Sequence, residues 1–309
     1  MNDENEHSEN KGHAGAVSAG GPSLPSAIKS YVSNNRKNAV LWGGFIVCSI
    51  LIWMLFSSGD FSFLLTFAAL WRCFGLLLMN YKVWKGNSVK GISVKTMELY
   101  ATSFVFRLLS ILRHQGYLPF DKTGDWFYHV VEFASLGSVA LVLYGAFGPW
   151  KSTYDAKYDK FGNLNVPPQY GVVYLVVPCI VMALLFHPEL NKEFFSDVCW
   201  TFSMYLEAVA MLPQLYMFQK QASDADGTVE VMLGHVTFAL GFSRIFELWF
   251  WLGSFKELTN MNGKVPGYIV LLSQVGQLLI MGDFFYYYFV SISKGMPMEL
   301  PHSYTSTNV

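Results

Sequence analysis

The chain has 309 residues, of which 52% are hydrophobic, 17% aromatic and only 14% charged, with a formal net charge of −1. That balance is too apolar for a water-soluble domain and too neutral for a nucleic-acid binder, so it reads as a polytopic membrane protein with no nucleic-acid partner. The four cysteines, Cys48, Cys73, Cys179 and Cys199, sit in apolar runs without ligand-like spacing. They are expected to pack as small apolar residues, with no disulfide framework and no metal.

In chain order, residues 1–38 are expected to form a disordered cytosolic tail, because Glu, Ser, Asn, Gly and a Gly-Gly-Pro-Ser-Leu-Pro run leave almost nothing to bury. The first apolar run starts at Ala39, too late for a cleaved signal peptide and without a small-residue cleavage site after it. Eight membrane segments are predicted, at 39–57, 61–80, 96–113, 127–147, 170–186, 194–218, 232–254 and 267–292. Each is near the roughly 20 residues needed to cross about 30 Å of hydrocarbon, the fifth being the shortest. Residues 296–309 read as a cytosolic C-terminal tail.

Orientation follows from Lys and Arg. A cytosolic N-terminus places thirteen basic residues on the cytosolic side, among them Lys82, Lys85, Lys90, Lys95, Lys151, Lys157, Lys160, Lys220 and Lys294. Five remain opposite: Arg113, Lys122, Lys192, Lys256 and Lys264. The positive-inside bias therefore puts both termini in the cytosol.

Charge inside the segments is the informative exception. Arg72, Arg107 and Arg244, with Glu132, Glu207, Glu247 and Asp283, lie within predicted spans. Such groups must face partners or water. The stretch Trp200–Leu215 combines Glu207 at mid-helix with Pro213-Gln214 near its end, and the carbonyl freed by the proline needs a donor, which Gln214 can supply. A faint repeat is visible as well. Trp84-Lys85 closes one helix and Arg107 follows 22 residues later, while Gln219-Lys220 closes another and Arg244 follows 24 residues later. Parallel three-helix units with a linker helix, and a site between the halves, would produce this pattern.

The Trp200–Leu215 run resembles the fifth helix of the KDEL receptor family, the ER lumen protein-retaining receptors of the PQ-loop, SWEET-like superfamily. The resemblance extends over roughly three quarters of the chain, from about Leu70 to Pro301. It includes Lys82-Val83-Trp84-Lys85, Gly91-Ile92-Ser93-Val94-Lys95, Thr153-Tyr154-Asp155, Leu175-Val176-Val177-Pro178, Leu240-Gly241 with Arg244, and Asp283-Phe284-Phe285-Tyr286.

The resemblance implies an all-α fold, two three-helix repeats joined by a linker helix. Residues 58–295 would form the seven-helix domain, with 39–57 as an additional N-terminal helix. It implies a receptor of the ER and Golgi membranes that binds C-terminal Lys-Asp-Glu-Leu-type tetrapeptides of lumenal proteins at acidic pH and returns them to the ER. Vesicle coat proteins and membrane lipids would be its other partners. Arg107 would hold the ligand's terminal carboxylate, Trp200 would pack on the ligand, and Asp197 would face its lysine. Glu207 with Arg244 would form the buried polar pair behind the cavity.

Several family positions differ. Leu65 and Ser254 stand where the family has further ligand-facing arginines, and Arg72 stands at its pH-sensing histidine. Ser243 and Glu247 replace tyrosines, Ser110 replaces an aspartate, and Gly295–Pro301 replaces the lysine-bearing coat-binding end. A divergent paralogue with a changed ligand is the alternative, beside a SWEET-like solute transporter and a purely structural membrane adaptor.

No enzyme constellation is present: no Gly-x-Ser-x-Gly, phosphate loop or His-Glu-x-x-His, and no cofactor is implied. His114, His129 and His187 lack metal spacing. His235 reads as a solvated cap at a cytosolic helix end, and Tyr286-Tyr287-Tyr288 as part of an interfacial aromatic belt.

Overall fold

The computed structural model describes residues 36–57, 59–114, 125–163, 167, 170–224, 228–259, 263–294 and 298–299. The expected tail at 1–38 and the sorting end at 295–301 lie almost wholly outside them. The helices are α1 (Arg36–Phe56), α2 (Phe63–Gly86), α3 (Val94–Ile111), α4 (Asp125–Phe147), α5 (Val173–Leu185), α6 (Phe194–Val209), α7 (Leu212–Asp224), α8 (Val231–Gly253) and α9 (Val265–Lys294). One short antiparallel rung, Thr228–Val229 against Met298–Glu299, ties the end of the chain to the start of α8. The protein is therefore an all-α polytopic membrane protein.

Among the described residues five helices, α1, α2, α4, α8 and α9, are long and apolar enough to cross a membrane. The others fall short for identifiable reasons. α3 carries Lys95, Glu98 and Arg107 in 18 residues. α5 has 13 residues and so spans about 20 Å at 1.5 Å per residue.

The predicted segment 194–218 is two helices. α6 closes at Ala210, whose N–H bonds the Glu207 carbonyl, and Pro213 stands in the first turn of α7, where a missing N–H costs nothing. Gln214 does not serve its own helix, contrary to the sequence expectation. Its side chain accepts from Ser93 N at 2.9 Å and donates to Gly91 O at 2.8 Å, while its backbone N–H donates to Thr96 Oγ1 at 3.0 Å. Gly91 needs its positive φ of 77° to offer that carbonyl, and Ser93 caps α3 by accepting from Thr96 N. Asp159 completes the brace by accepting from Ser93 Oγ and Tyr154 Oη, each at 2.8 Å. Gln214→Ala would leave two buried backbone groups unpaired. A loss of about 1–3 kcal/mol is expected, read as a lowered thermal midpoint of the detergent-solubilised protein.

Lipid tails are as apolar as leucine, so helix association here rests on close packing and polar contacts. α2 packs on α8 and α4, α3 on α6 and α4, α9 on α8 and α6, and α5 on α6. At the α2–α8 crossing, a Cβ on Gly75 would come within 3.2 Å of the Val236 carbonyl, so a side chain there would push the helices apart. α1 attaches through rings: Phe45 stacks on Phe74 at 3.7 Å and Phe56 on Phe127 at 5.1 Å. Most of its other large apolar side chains remain exposed.

His235 and the tyrosine cluster depart from expectation. His235 is buried rather than solvated, with Nδ1 2.8 Å from Tyr288 Oη and the Trp42 ring edge-on to it. Tyr286 is exposed as an interfacial tyrosine would be, whereas Tyr288 is buried. The triplet occupies successive positions 100° apart on one helix, so its members cannot share a face.

Candidate functional site: a buried charge cluster

Six of the seven charges noted within predicted spans converge, while the seventh, Asp283 of α9, is exposed. Arg72 comes from α2, Arg107 from α3, Glu132 from α4, Glu207 from α6, and Arg244 with Glu247 from α8; all six are buried. Glu207 is the hub. It pairs with Arg72 Nη1 at 2.9 Å, with Arg107 Nη2 and with Arg244 Nη2. Glu132 pairs with Arg72 and lies 3.4 Å from Arg107 Nη1. Arg244 also pairs with Glu247 one turn along α8, and Glu247 accepts from Gln274 Nε2 of α9 at 3.3 Å. Arg107 Nε donates to Ser203 Oγ at 3.2 Å, and Ser203 Oγ donates in turn to the Trp200 carbonyl. Arg72 lies 5.1 Å over the Phe104 ring.

Three guanidiniums against three carboxylates make the cluster neutral. That balance lets it exist in hydrocarbon, where each lone arginine at mid-helix would cost about 2.5–3.5 kcal/mol on insertion scales. The planar forks suit several carboxylate oxygens at once, so one glutamate can serve three helices.

The sequence-predicted residues divide in two. Arg107, Glu207 and Arg244 are in direct contact, as the expected Glu207–Arg244 pairing requires. Trp200 is buried edge-on against Trp251 at 5.0 Å and reaches the cluster through its carbonyl and Ser203. Asp197 does not join them. It lies ten residues before Glu207, about 15 Å along α6, and accepts from Asn191 N at 2.8 Å and Asn191 Nδ2 at 3.2 Å. At the same end, Glu193 accepts from Ser196 Oγ at 2.5 Å and lies 2.7 Å from His114 Nε2 and 3.2 Å from Arg113. The Ser196 hydroxyl and the His114 ring hold its carboxyl below the usual range.

Glu132 is the member to which the sequence reading assigned no role. The available signal was charge accounting, since Arg72 in an apolar helix requires a carboxylate and Glu132 lies within a later predicted span. Arg72 and Glu247, noted as departures from the family pattern, prove to be paired members of the same cluster. Leu65, where a ligand arginine was looked for, is buried among apolar neighbours. Ser254 ends α8, donating its backbone N–H to the Phe250 carbonyl.

Fold and site together define a multi-pass helical membrane protein with a charged interior at the meeting of its helices. The comparisons narrow that class. A family model described as ER lumen protein retaining receptor matches residues 88–254. An ER lumen protein-retaining receptor of Drosophila melanogaster is 30% identical over 229 residues, covering 74% of this chain and 93% of the relative. One from Petunia hybrida is 32% identical over 229 residues, covering 73% and 93%. An ER lumen protein-retaining receptor 2 of Xenopus tropicalis is 30% identical over 228 residues, covering 73% and 92%. The chain belongs to the ER lumen protein retaining receptor family, a family of receptors by name.

Proposed function

We propose that this protein is a receptor of the ER and Golgi membranes that binds C-terminal ER-retention signals of lumenal proteins and returns them to the ER. The observation that carries the reading is the Arg107–Glu207–Arg244 junction, a guanidinium pair on α3 and α8 bridged by one carboxylate of α6, in a member of this family. Both Arg107 fork nitrogens are occupied by Glu207 and Glu132. A peptide carboxylate would therefore enter by displacing a glutamate, and Trp200, linked to the same arginine through Ser203, would pack on the arriving chain. Asp197 would then act from the far end of α6, on the ligand's basic residue.

The test is binding of purified protein to C-terminal tetrapeptides at about pH 5.5 and 7.4. Arg107→Lys keeps the charge and loses the fork, so it should weaken binding about tenfold or more while the protein still inserts. Equal binding by that variant would remove Arg107 from the ligand site.

For the architecture, we propose eight spans: the helix at 39–57 added to a seven-helix domain at 58–295, with cytosolic ends at 1–38 and 296–309. Two three-helix units, α2–α4 and α6/α7–α9, would flank α5. The packing supports this, because α2 on α8 and α6 on α3 are the same first-helix-to-second-helix contact with the units exchanged. Tags at both ends should be digested by protease added to intact microsomes. Protection of one tag alone would rule out an even number of spans, and protection of both would rule out cytosolic ends. Coat proteins would meet the cytosolic face, where Lys294 ends α9.

A further inference from the structure

A cleft of about 280 Å³ opens between α5, α6 and α9, apart from the charge cluster. Its walls include Pro178 and Cys179 of α5, Tyr205 and Ala208 of α6, and Gly276 and Gln277 of α9. These are mostly apolar groups, and no charged side chain lines it among the described residues. Gln277 is the anomaly. It is 1% exposed, yet neither its Nε2 nor its Oε1 has a hydrogen-bond partner among the described residues. The other hydroxyls of the cleft are already committed, Tyr205 Oη to the Phe186 carbonyl and Ser273 Oγ to the Val270 carbonyl. A buried carboxamide left unpaired is costly, and a free donor and acceptor on an apolar wall are what fix the orientation of a ligand with one small polar group.

We propose that the cleft binds a sterol, seated hydroxyl-first on the Gln277 carboxamide. The depth of the glutamine selects this chemistry. Gln277 is 12 residues into the 30-residue α9, about 18 Å from its start. It thus lies within the hydrocarbon, below the level of phospholipid headgroups. Acyl chains bring no hydrogen-bonding group to that depth, and a charged headgroup or fatty carboxylate would find no counter-charge there. A molecule whose whole polar part is one hydroxyl can sink that far, because Gln277 replaces the single hydrogen bond it gives up. The cleft holds the hydroxyl-bearing end. The remaining apolar body lies along the lipid-facing groove beside Val177, Val181 and Leu272, all exposed. The inference is independent of the peptide-receptor reading.

Two substitutions test it. A Cβ built on Gly276 meets nothing within 4 Å, so Gly276→Leu can fill the cleft without moving the backbone. Gln277→Leu keeps the volume and removes the polar pair. The full-length protein in phosphatidylcholine nanodiscs is labelled with a photoactivatable sterol, and the labelled peptides are mapped. Labelling is expected in α5 and α9, competed by unlabelled sterol and not by a fatty acid or a ceramide. It should fall about tenfold or more in Gly276→Leu and about five- to tenfold in Gln277→Leu. Absent labelling, as for a cleft that holds only water, would overturn the proposal. So would labelling unchanged in Gln277→Leu, or preferential competition by fatty acid or ceramide.

Discussion

Glu207→Ala is expected to destabilise the protein by about 3–5 kcal/mol, the cost of removing one partner from a buried ionic network. The size follows from its position. One carboxylate meets Arg72, Arg107 and Arg244, so its loss leaves three guanidiniums sharing Glu132 and Glu247. The measurement is the thermal midpoint of the detergent-solubilised protein, read beside a compensated variant. Glu207→Leu combined with Arg72→Met removes one charge of each sign and should recover most of the loss, because Arg107 keeps Glu132 and Arg244 keeps Glu247. A Glu207→Ala protein within about 1 kcal/mol of the parent would mean that the hub does not hold the helices together.

The second large effect concerns ligand affinity and its pH dependence. We propose that this chain reads a tail less acidic than Lys-Asp-Glu-Leu. Leu65 and Ser254 stand where two ligand-facing arginines are expected, and a charge-assisted hydrogen bond is worth about 1.5–3 kcal/mol. Losing two such bonds corresponds to about a hundred-fold to ten-thousand-fold in affinity for an acidic peptide. The pH response should have a different origin as well, since Arg72 does not titrate in the secretory pathway. A neutral cluster that accepts a ligand carboxylate becomes net negative unless a glutamate takes up a proton. Binding coupled to one proton weakens by up to about tenfold per pH unit as pH rises. Titrations of Lys-Asp-Glu-Leu and of tails with neutral replacements decide the matter. Tight, acid-dependent binding of Lys-Asp-Glu-Leu with rejection of the neutral tails would show that the missing arginines are compensated elsewhere.

Much of this was legible in the chain because membranes penalise charge so heavily. Arg72, Arg107, Arg244, Glu132, Glu207, Glu247 and Asp283 stood out against apolar runs, and the structure brings all but the exposed Asp283 together. Which carboxylate meets which arginine was not legible. Arg107 and Glu207 are 100 positions apart, and the pairing depends on how α3 crosses α6. The break before Pro213, inside a span predicted as continuous over 194–218, was not legible for a local reason. A proline in a first turn and a proline in a helix interior look alike in sequence, and the decisive partners of Gln214 lie more than 100 positions away. His235 was misread because nothing near it in sequence announces Tyr288, 53 positions on. The Gln277 cleft has no sequence signal at all, since it depends on small groups from three helices.

The order in which the cluster's members emerge from the ribosome constrains how the protein can be made. Arg72 precedes its nearest carboxylate partner by 60 residues and Arg107 precedes Glu207 by 100. At about 5–20 residues per second those gaps last roughly 3–12 and 5–20 seconds. During that time α2 and α3 carry uncompensated guanidiniums that lipid will not readily accept. Glu132 arrives first and can neutralise only one of them, so α2, α3 and α4 entering lipid together would expose less unpaired charge than each entering singly. Their final charge balance waits for α6. Neutralisation of this bundle is thus deferred, and a chain stalled before Glu207 would carry two of the cluster's arginines against one glutamate.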